Sequence, residues 1–270
     1  MRKAHFKNWY GGSCSEVEKL ISYFNQILEE GTDREKLAQI LQLKPVALIS
    51  PHAGWIYSGF TANFGYRILA NSAEEADRVV VIGPSHRFPF KGGSVTLEEE
   101  YETPCGNLPI DREFSLELME RFNLKNLEYV HTEHSTEVQM PFIYHYLRLP
   151  VVEIVYSDYS PQEVAGIIDY SVQSNSLVVI STDLSHYYPL EIATKLDYFC
   201  VEGVVELNRE LLKRCEACGK IGVEGIVEVA RRREWTPLLV DYRTSADINR
   251  DKSQVVGYMS AIFLPSRREE

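Results

Sequence analysis

The sequence predicts an α/β fold: one domain built on a mixed, mostly parallel sheet with helices on both faces. Three observations carry the prediction. Val79 to Ile82 and Leu177 to Ile180 are continuous aliphatic runs of the kind buried on both sides of a sheet. Segments with helical spacing alternate with such runs along the chain, which is the bookkeeping of βαβ units. No Pro/Gly/Ser-rich linker, low-complexity run or internal repeat divides the 270 residues, so a single domain over 1–270 is expected.

The first element is a helix in "SCSEVEKLISYFNQILEEG". Ser15, three residues before Glu18, reads as a capping box; Val17, Leu20, Ile21, Phe24, Ile27 and Leu28 then recur at helical spacing before Gly31. A strand at 45–50 closes on Pro51, which can neither continue a ladder nor donate to it. A helix at 59–70, a strand at 78–83 and a strand at 93–98 follow, the last running into the irregular "EEYETPCGNLPID". Helices are expected at 113–122 and at 136–147, where Val138, Met140, Phe142, Ile143 and Leu147 make the apolar face. A strand at 151–156, a helix at 161–173 and a strand at 176–181 continue the alternation. A long helix at 190–213, another at 219–233, and strands at 236–242 and 254–264 complete it. The last two read as a pair joined by "TSADINRDKS", which makes the sheet mixed.

The formal charge of −11, from 28 basic and 39 acidic residues, argues against a nucleic-acid or anionic-membrane binder, because both need a positive surface. The one basic cluster, Arg231 to Arg233, reads as a solvated helix end. No apolar window reaches the roughly 18 residues of a membrane span, and "MRKAHFKNWYGG" lacks the apolar core of a signal peptide, so cytoplasmic residence is expected. The cysteines, Cys14, Cys105, Cys200, Cys215 and Cys218, are odd in number and unevenly spaced. That favours a reducing compartment over a disulfide framework, with at least one thiol free.

Three of the predicted strands each deliver a histidine just past their ends: His52 in "ALISPHAGWIYSG", His86 in "RVVVIGPSHRF" and His186 in "SLVVISTDLSHYYP", the last with Asp183 in the same loop. If the strands are parallel neighbours, all three histidines lie on the carboxyl edge of the sheet, where open α/β folds place their ligands. Neutral imidazoles and a carboxylate suit a divalent metal such as iron, copper or zinc. The same set suits proton transfer near neutral pH, and three separate core histidines, each with its own partner, are a third reading. "HTEHSTEVQMPF" adds His131, Glu133, His134 and Glu137, as pocket groups or as a helix terminus capped by Ser135 or Thr136. "RCEACGK" holds a CxxC in which Cys218, at the start of a helix, is either a reactive thiolate or a buried inert thiol. Ser85 and Ser185 each neighbour a histidine, but there is no G-x-S-x-G elbow, P-loop or dinucleotide fingerprint. The aromatics Trp55, Tyr57, Phe88, Tyr101, Tyr187 and Tyr188 are candidates for a pocket wall or for core.

Together "NWYGGS", "SPHAGWIYSG", "IGPSH", "YETPCGNLPID", "EHSTEVQMPF", "STDLSHY", "CGKIGVEG" and "VGYMSAIF" resemble, in order and spacing over nearly the whole chain, the Memo family, which includes AmmeMemoRadiSam system protein B. The resemblance implies a fold similar to the catalytic subunit of class III extradiol dioxygenases, which are non-haem iron enzymes. It implies metal ligation by His52, His86 and, where the dioxygenases use a glutamate, Cys218. It implies an acid/base role for His186, oriented by Asp183 or a backbone group, and a pocket shaped by His134 and Glu137. Two histidines and a thiolate favour copper or zinc over iron, which makes ring cleavage doubtful. The expected function is therefore a metal-binding redox or dioxygenase-like centre, the alternative being a non-catalytic module that binds a peptide or small ligand in the same cleft. An AMMECR-type protein and a radical SAM enzyme are the partners that the family's name implies.

Overall fold

The computed structural model describes residues 1–266; residues 267–270 of the expected domain lie outside the described residues. Among the described residues ten strands form: β1 (Ala47–Ser50), β2 (Arg78–Pro84), β3 (Gly93–Val95), β4 (Glu100–Thr103), β5 (Gly106–Pro109), β6 (Val151–Tyr156), β7 (Ser176–Ser181), β8 (His186–Tyr188), β9 (Thr236–Thr244) and β10 (Val255–Leu264). The main sheet runs β3-β6-β2-β7-β1-β10-β8, with β9 also paired to β10, while β4 and β5 form a separate hairpin. β6, β2, β7 and β1 are mutually parallel; β3 and β10 are antiparallel to their neighbours, so the sheet is mixed, as expected.

The central strands bury both faces. Val80, Ile82, Val178, Ile180 and Ile49 face one core, and Val79, Val81, Leu177, Val179 and Leu48 face the other. Alternation with period 2 sends successive side chains to opposite sides, so a run must be apolar at every position when helices cover both. The helices are α1 (Cys14–Gly31), α2 (Arg34–Ile40), α3 (Trp55–Leu69), α4 (Arg112–Phe122), α5 (His134–Glu137), α6 (Met140–Tyr146), α7 (Pro161–Gln173), α8 (Leu190–Val205), α9 (Arg209–Lys213), α10 (Lys220–Arg232) and α11 (Ala246–Asn249). α1, α3 and α6 cover one face; α4, α7, α8 and α10 cover the other. This is a single α/β domain.

Several expectations shift. The capping box of α1 is Ser13 with Glu16, not Ser15 with Glu18: two S-x-x-E pairs overlap here, and the chain enters the helix at the first. α3 begins at Trp55 rather than 59, because the Trp55 ring is buried in a stack 3.8 Å from that of Phe142. The expected helix at 136–147 is two short ones, α5 and α6. The expected helix at 190–213 breaks after α8, where Leu207 takes a left-handed φ of 51° and Asn208 caps α9. β8 and the β4–β5 hairpin stand where loops were expected.

The cysteine expectation is overturned in part. Cys14 pairs with Cys105 and Cys200 with Cys215, leaving Cys218 as the free thiol among the described residues. The fold brings each pair to Cα separations of 4.4 and 4.6 Å, within disulfide range, whereas spacing along the chain shows neither proximity. The odd count therefore says nothing about compartment. No helix of the described residues is long and apolar enough to cross a membrane.

Candidate functional site

β2, β7 and β1 are adjacent and parallel, so their carboxyl ends make one edge. His52 follows β1 and His86 follows β2; His186 opens β8, opposite Val256 of β10. The fourth histidine, His134, opens α5, which lies close against the end of β2. Gly83 permits that approach, since a Cβ there would fall 2.6 Å from Ser135 Oγ, whose hydroxyl donates to the Pro84 carbonyl.

His52, His86 and His134 come together with one ring nitrogen each within 4.8 Å of the others. Ring centroids lie 5.1 Å apart for His52 and His86, 5.4 Å for His52 and His134, and 4.5 Å for His86 and His134. Hydrogen-bond partners fix the tautomers. Glu133 is fully buried, and its Oε1 lies 3.0 Å from His86 Nδ1 and 2.9 Å from His134 Nδ1. An ionised carboxylate only accepts, so both Nδ1 atoms carry the proton. His52 Nδ1 lies 2.9 Å from Ser181 Oγ, which donates its own proton to the Ser135 carbonyl and accepts from Gln139 Nε2, so His52 is also the donor there. All three Nε2 atoms keep a lone pair. Outer partners on Nδ1 are the arrangement by which proteins orient metal-binding imidazoles; the Nε2 of His52 meets Cys218 Sγ, while those of His86 and His134 have no partner among the described residues.

The electrostatics agree. Burial, then His86 and His134, hold His52 well below the usual imidazole value, so it is neutral. Burial would raise Glu133, but hydrogen bonds from His134 and His86 outweigh it and hold the carboxyl well below the carboxylate range.

Cys218 lies behind His52, its Sγ 3.2 Å from Nε2. Its loop is tied to the strand end by reciprocal bonds, Asp183 N–H to Cys218 Sγ and Cys218 N–H to the Asp183 carbonyl, each 3.2 Å. Gly219 donates to Thr182 Oγ1 at 2.8 Å, and a Cβ on Gly219 would come 2.6 Å from the Ser181 carbonyl. Burial, then Asp183, push the thiol up to about 12. Asp183 is itself raised by burial, although its Oδ1 accepts the His52 N–H at 2.7 Å. The CxxC does not act as a pair, because Cys215 is bonded to Cys200.

These groups open into a cleft of about 810 Å³ lined by His52, His86, His134, Asp183 and His186, with Trp9 and Tyr187 among its walls. A larger depression of about 1130 Å³ beside α1 and α2 is lined by none of these histidines. Sequence reasoning missed the wall built from residues 5–10. Buried Glu137 accepts the N–H groups of His5 and Phe6, at 2.8 and 2.6 Å, and the Tyr10 hydroxyl at 2.9 Å. Glu137 thus shapes the cleft through this strap, which sets the Trp9 ring 4.5 Å from that of His134. The signal was present in "NWYGGS", next to no other motif in the sequence. It also missed Ser181 and the sharing of Glu133 by two histidines.

Fold and site together define an α/β protein with a cluster of ligand-type imidazoles on the carboxyl edge of its sheet. The chain belongs to the Memo family: the model of the Memo-like protein matches residues 4–262. A MEMO1 family protein of Aquifex aeolicus is 34% identical over 257 residues, covering 86% of this chain and 94% of the relative. One from Methanocaldococcus jannaschii is 34% identical over 242 residues, covering 81% and 84%. Among solved structures, an uncharacterized protein from Escherichia coli K12 shares the fold, with a TM-score of 0.52 at 14% identity, covering 80% of this chain and 98% of that one.

Proposed function

We propose that this protein is a metal-dependent redox or dioxygenase-like member of the Memo family, with the ion held by His52, His86 and His134 and with Cys218 as a further donor. The observation that carries the reading is a set of three imidazoles with one ring nitrogen each within 4.8 Å of the others and with every Nδ1 proton engaged, which leaves Nε2 as the ligand-type nitrogen. Imidazoles beside a thiol suit copper or zinc better than iron. Such an ion would supply Lewis-acid polarisation or, for copper, electron transfer.

The chain's own residues do the rest. Ser181 and Glu133 aim the rings, and Asp183 holds the His52 backbone through its N–H. His186, on the cleft wall outside the three-histidine group, is placed to give or take a proton from what the cleft holds. The exposed apolar rim, with Ile56 and Tyr187 each 67% exposed, supports a second reading in which the cleft binds a peptide or small ligand without turnover.

The test is elemental analysis of protein purified anaerobically without an affinity tag. Near-stoichiometric copper, zinc or iron is expected, lost in His52→Ala and reduced in Cys218→Ser. An empty wild type that also refuses added metal would overturn the reading, and ligand binding that survives chelation would favour the second.

A further inference from the structure

Tyr258 is buried to 2% exposure yet belongs to neither hydrophobic core, although its neighbours Met259 and Ala261 do. Its hydroxyl has no hydrogen-bond partner among the described residues, and it is not among the polar atoms sealed away from solvent without one. A buried phenol normally finds a partner, so a free hydroxyl that still meets open space calls for one that the protein does not supply.

Tyr258 is not itself among the residues that line the cleft, but its neighbours are. On β10, Tyr258 lies two residues from Val256, which lines the cleft, and so shares its face of the strand. Ile49 of β1 pairs with Ala261 of β10; His52 and Tyr258 each lie three residues beyond that pair, at the same edge of the sheet. Asp183, Tyr57 and Tyr187, all on the cleft wall, are near enough to bear on the phenol electrostatically. Tyr187 takes a left-handed φ of 64°, a costly conformation for an aromatic residue, at the mouth of the same cleft.

We infer that the Tyr258 hydroxyl is a hydrogen-bond donor to an anionic oxygen of the molecule that occupies the cleft. The inference rests on the reading of this cleft as the functional site, and needs no metal to be tested. Tyr258 would add a hydroxyl donor to a site that also holds three Nε2 lone pairs and the Asp183 carboxyl.

The probe is 4-nitrophenolate, a coloured oxyanion with a ring for the aromatic rim, titrated by its visible absorbance against wild type and Tyr258→Phe, before and after chelator. Wild type is expected to bind it, and loss of one charge-assisted hydrogen bond should weaken the variant about tenfold or more. Because the hydroxyl has no partner in the protein, Tyr258→Phe should leave the melting temperature unchanged. Equal affinity in the two proteins, no binding by wild type, or a clear fall in the melting temperature of the variant would each overturn the inference. Elemental analysis of the same samples separates the two readings: tenfold discrimination by a protein that takes up no added metal would sink the metal reading and leave Tyr258 in place, and a metal-loaded protein that does not discriminate would do the reverse.

Discussion

Two buried Glu–His clusters stand within a few residues of each other, and only one of them could hold a metal ion. Glu153 takes His131 Nδ1 at 2.8 Å, and His131 Nε2 meets Ser94 Oγ at 3.0 Å, so both ring nitrogens are spent on the protein. Arg2 faces the same carboxylate, whose oxygens also accept from Tyr101 and Thr136. Glu133 likewise accepts from two histidines, yet leaves their second nitrogens unspent, on rings that line a cleft. The residue types are the same; what separates structure from chemistry is whether the second nitrogen has been used. A closed network yields rigidity, while an open one holds directed lone pairs ready at no further conformational cost.

The largest expected difference comes from Glu153→Gln, which removes one of the two buried carboxylates facing Arg2 and leaves it Glu137 alone. It should cost roughly 3–5 kcal/mol and lower the melting temperature by about 10 °C, with metal content unchanged. Glu133→Gln should do the opposite: roughly a ten- to hundredfold loss of metal affinity with a smaller thermal effect. Equal metal loss in both variants, read by elemental analysis beside calorimetry, would erase the distinction.

Acid should strike both clusters. Burial alone would raise Glu153, but Arg2 and His131 hold it down to about 2, and Glu133 also lies below the unfolded value of 4.5. A depressed carboxylate contributes stability above its unfolded pKa and loses it as pH falls toward its folded one. Buried His52 adds a loss that begins higher, because below the unfolded value of 6.5 only the unfolded chain takes up its proton. Melting temperature should therefore decline from about pH 6.5 and steepen below about pH 4.5. A flat profile between pH 5 and 7 would contradict a neutral His52. The smallest effect belongs to Ser94→Ala, about 1–2 kcal/mol from the lost hydrogen bonds to His131 Nε2 and from the Leu127 N–H, with the cleft undisturbed.

Local signals made much of this legible. Runs such as Val79 to Ile82 announced two-sided burial, and the breaks at Pro51 and Pro84 put His52 and His86 at strand ends, because strand formation and termination are written within a few residues. What those histidines touch was not legible. Glu133 lies 47 residues from His86, and Ser181 lies 129 from His52. The Cys14–Cys105 bond spans 91 residues, a distance that spacing rules do not reach. Tyr258 gave no signal, since an unpaired hydroxyl is recognised only when all its neighbours are known. The overlapping S-x-x-E pairs and the break at Leu207 show a finer limit: propensity permitted either choice, and packing made it.

The strap has one further consequence, in the order of synthesis. His5 reaches its acceptor on Glu137 across 132 positions, so during translation residues 5–10 must wait for a partner not yet made. Until that segment docks, the wall carrying Trp9 is missing and the cleft stands open along one side. The earliest of these residues to be synthesised thus cannot settle before the middle of the chain is made, and the cleft waits longer still, for Asp183, His186 and Val256.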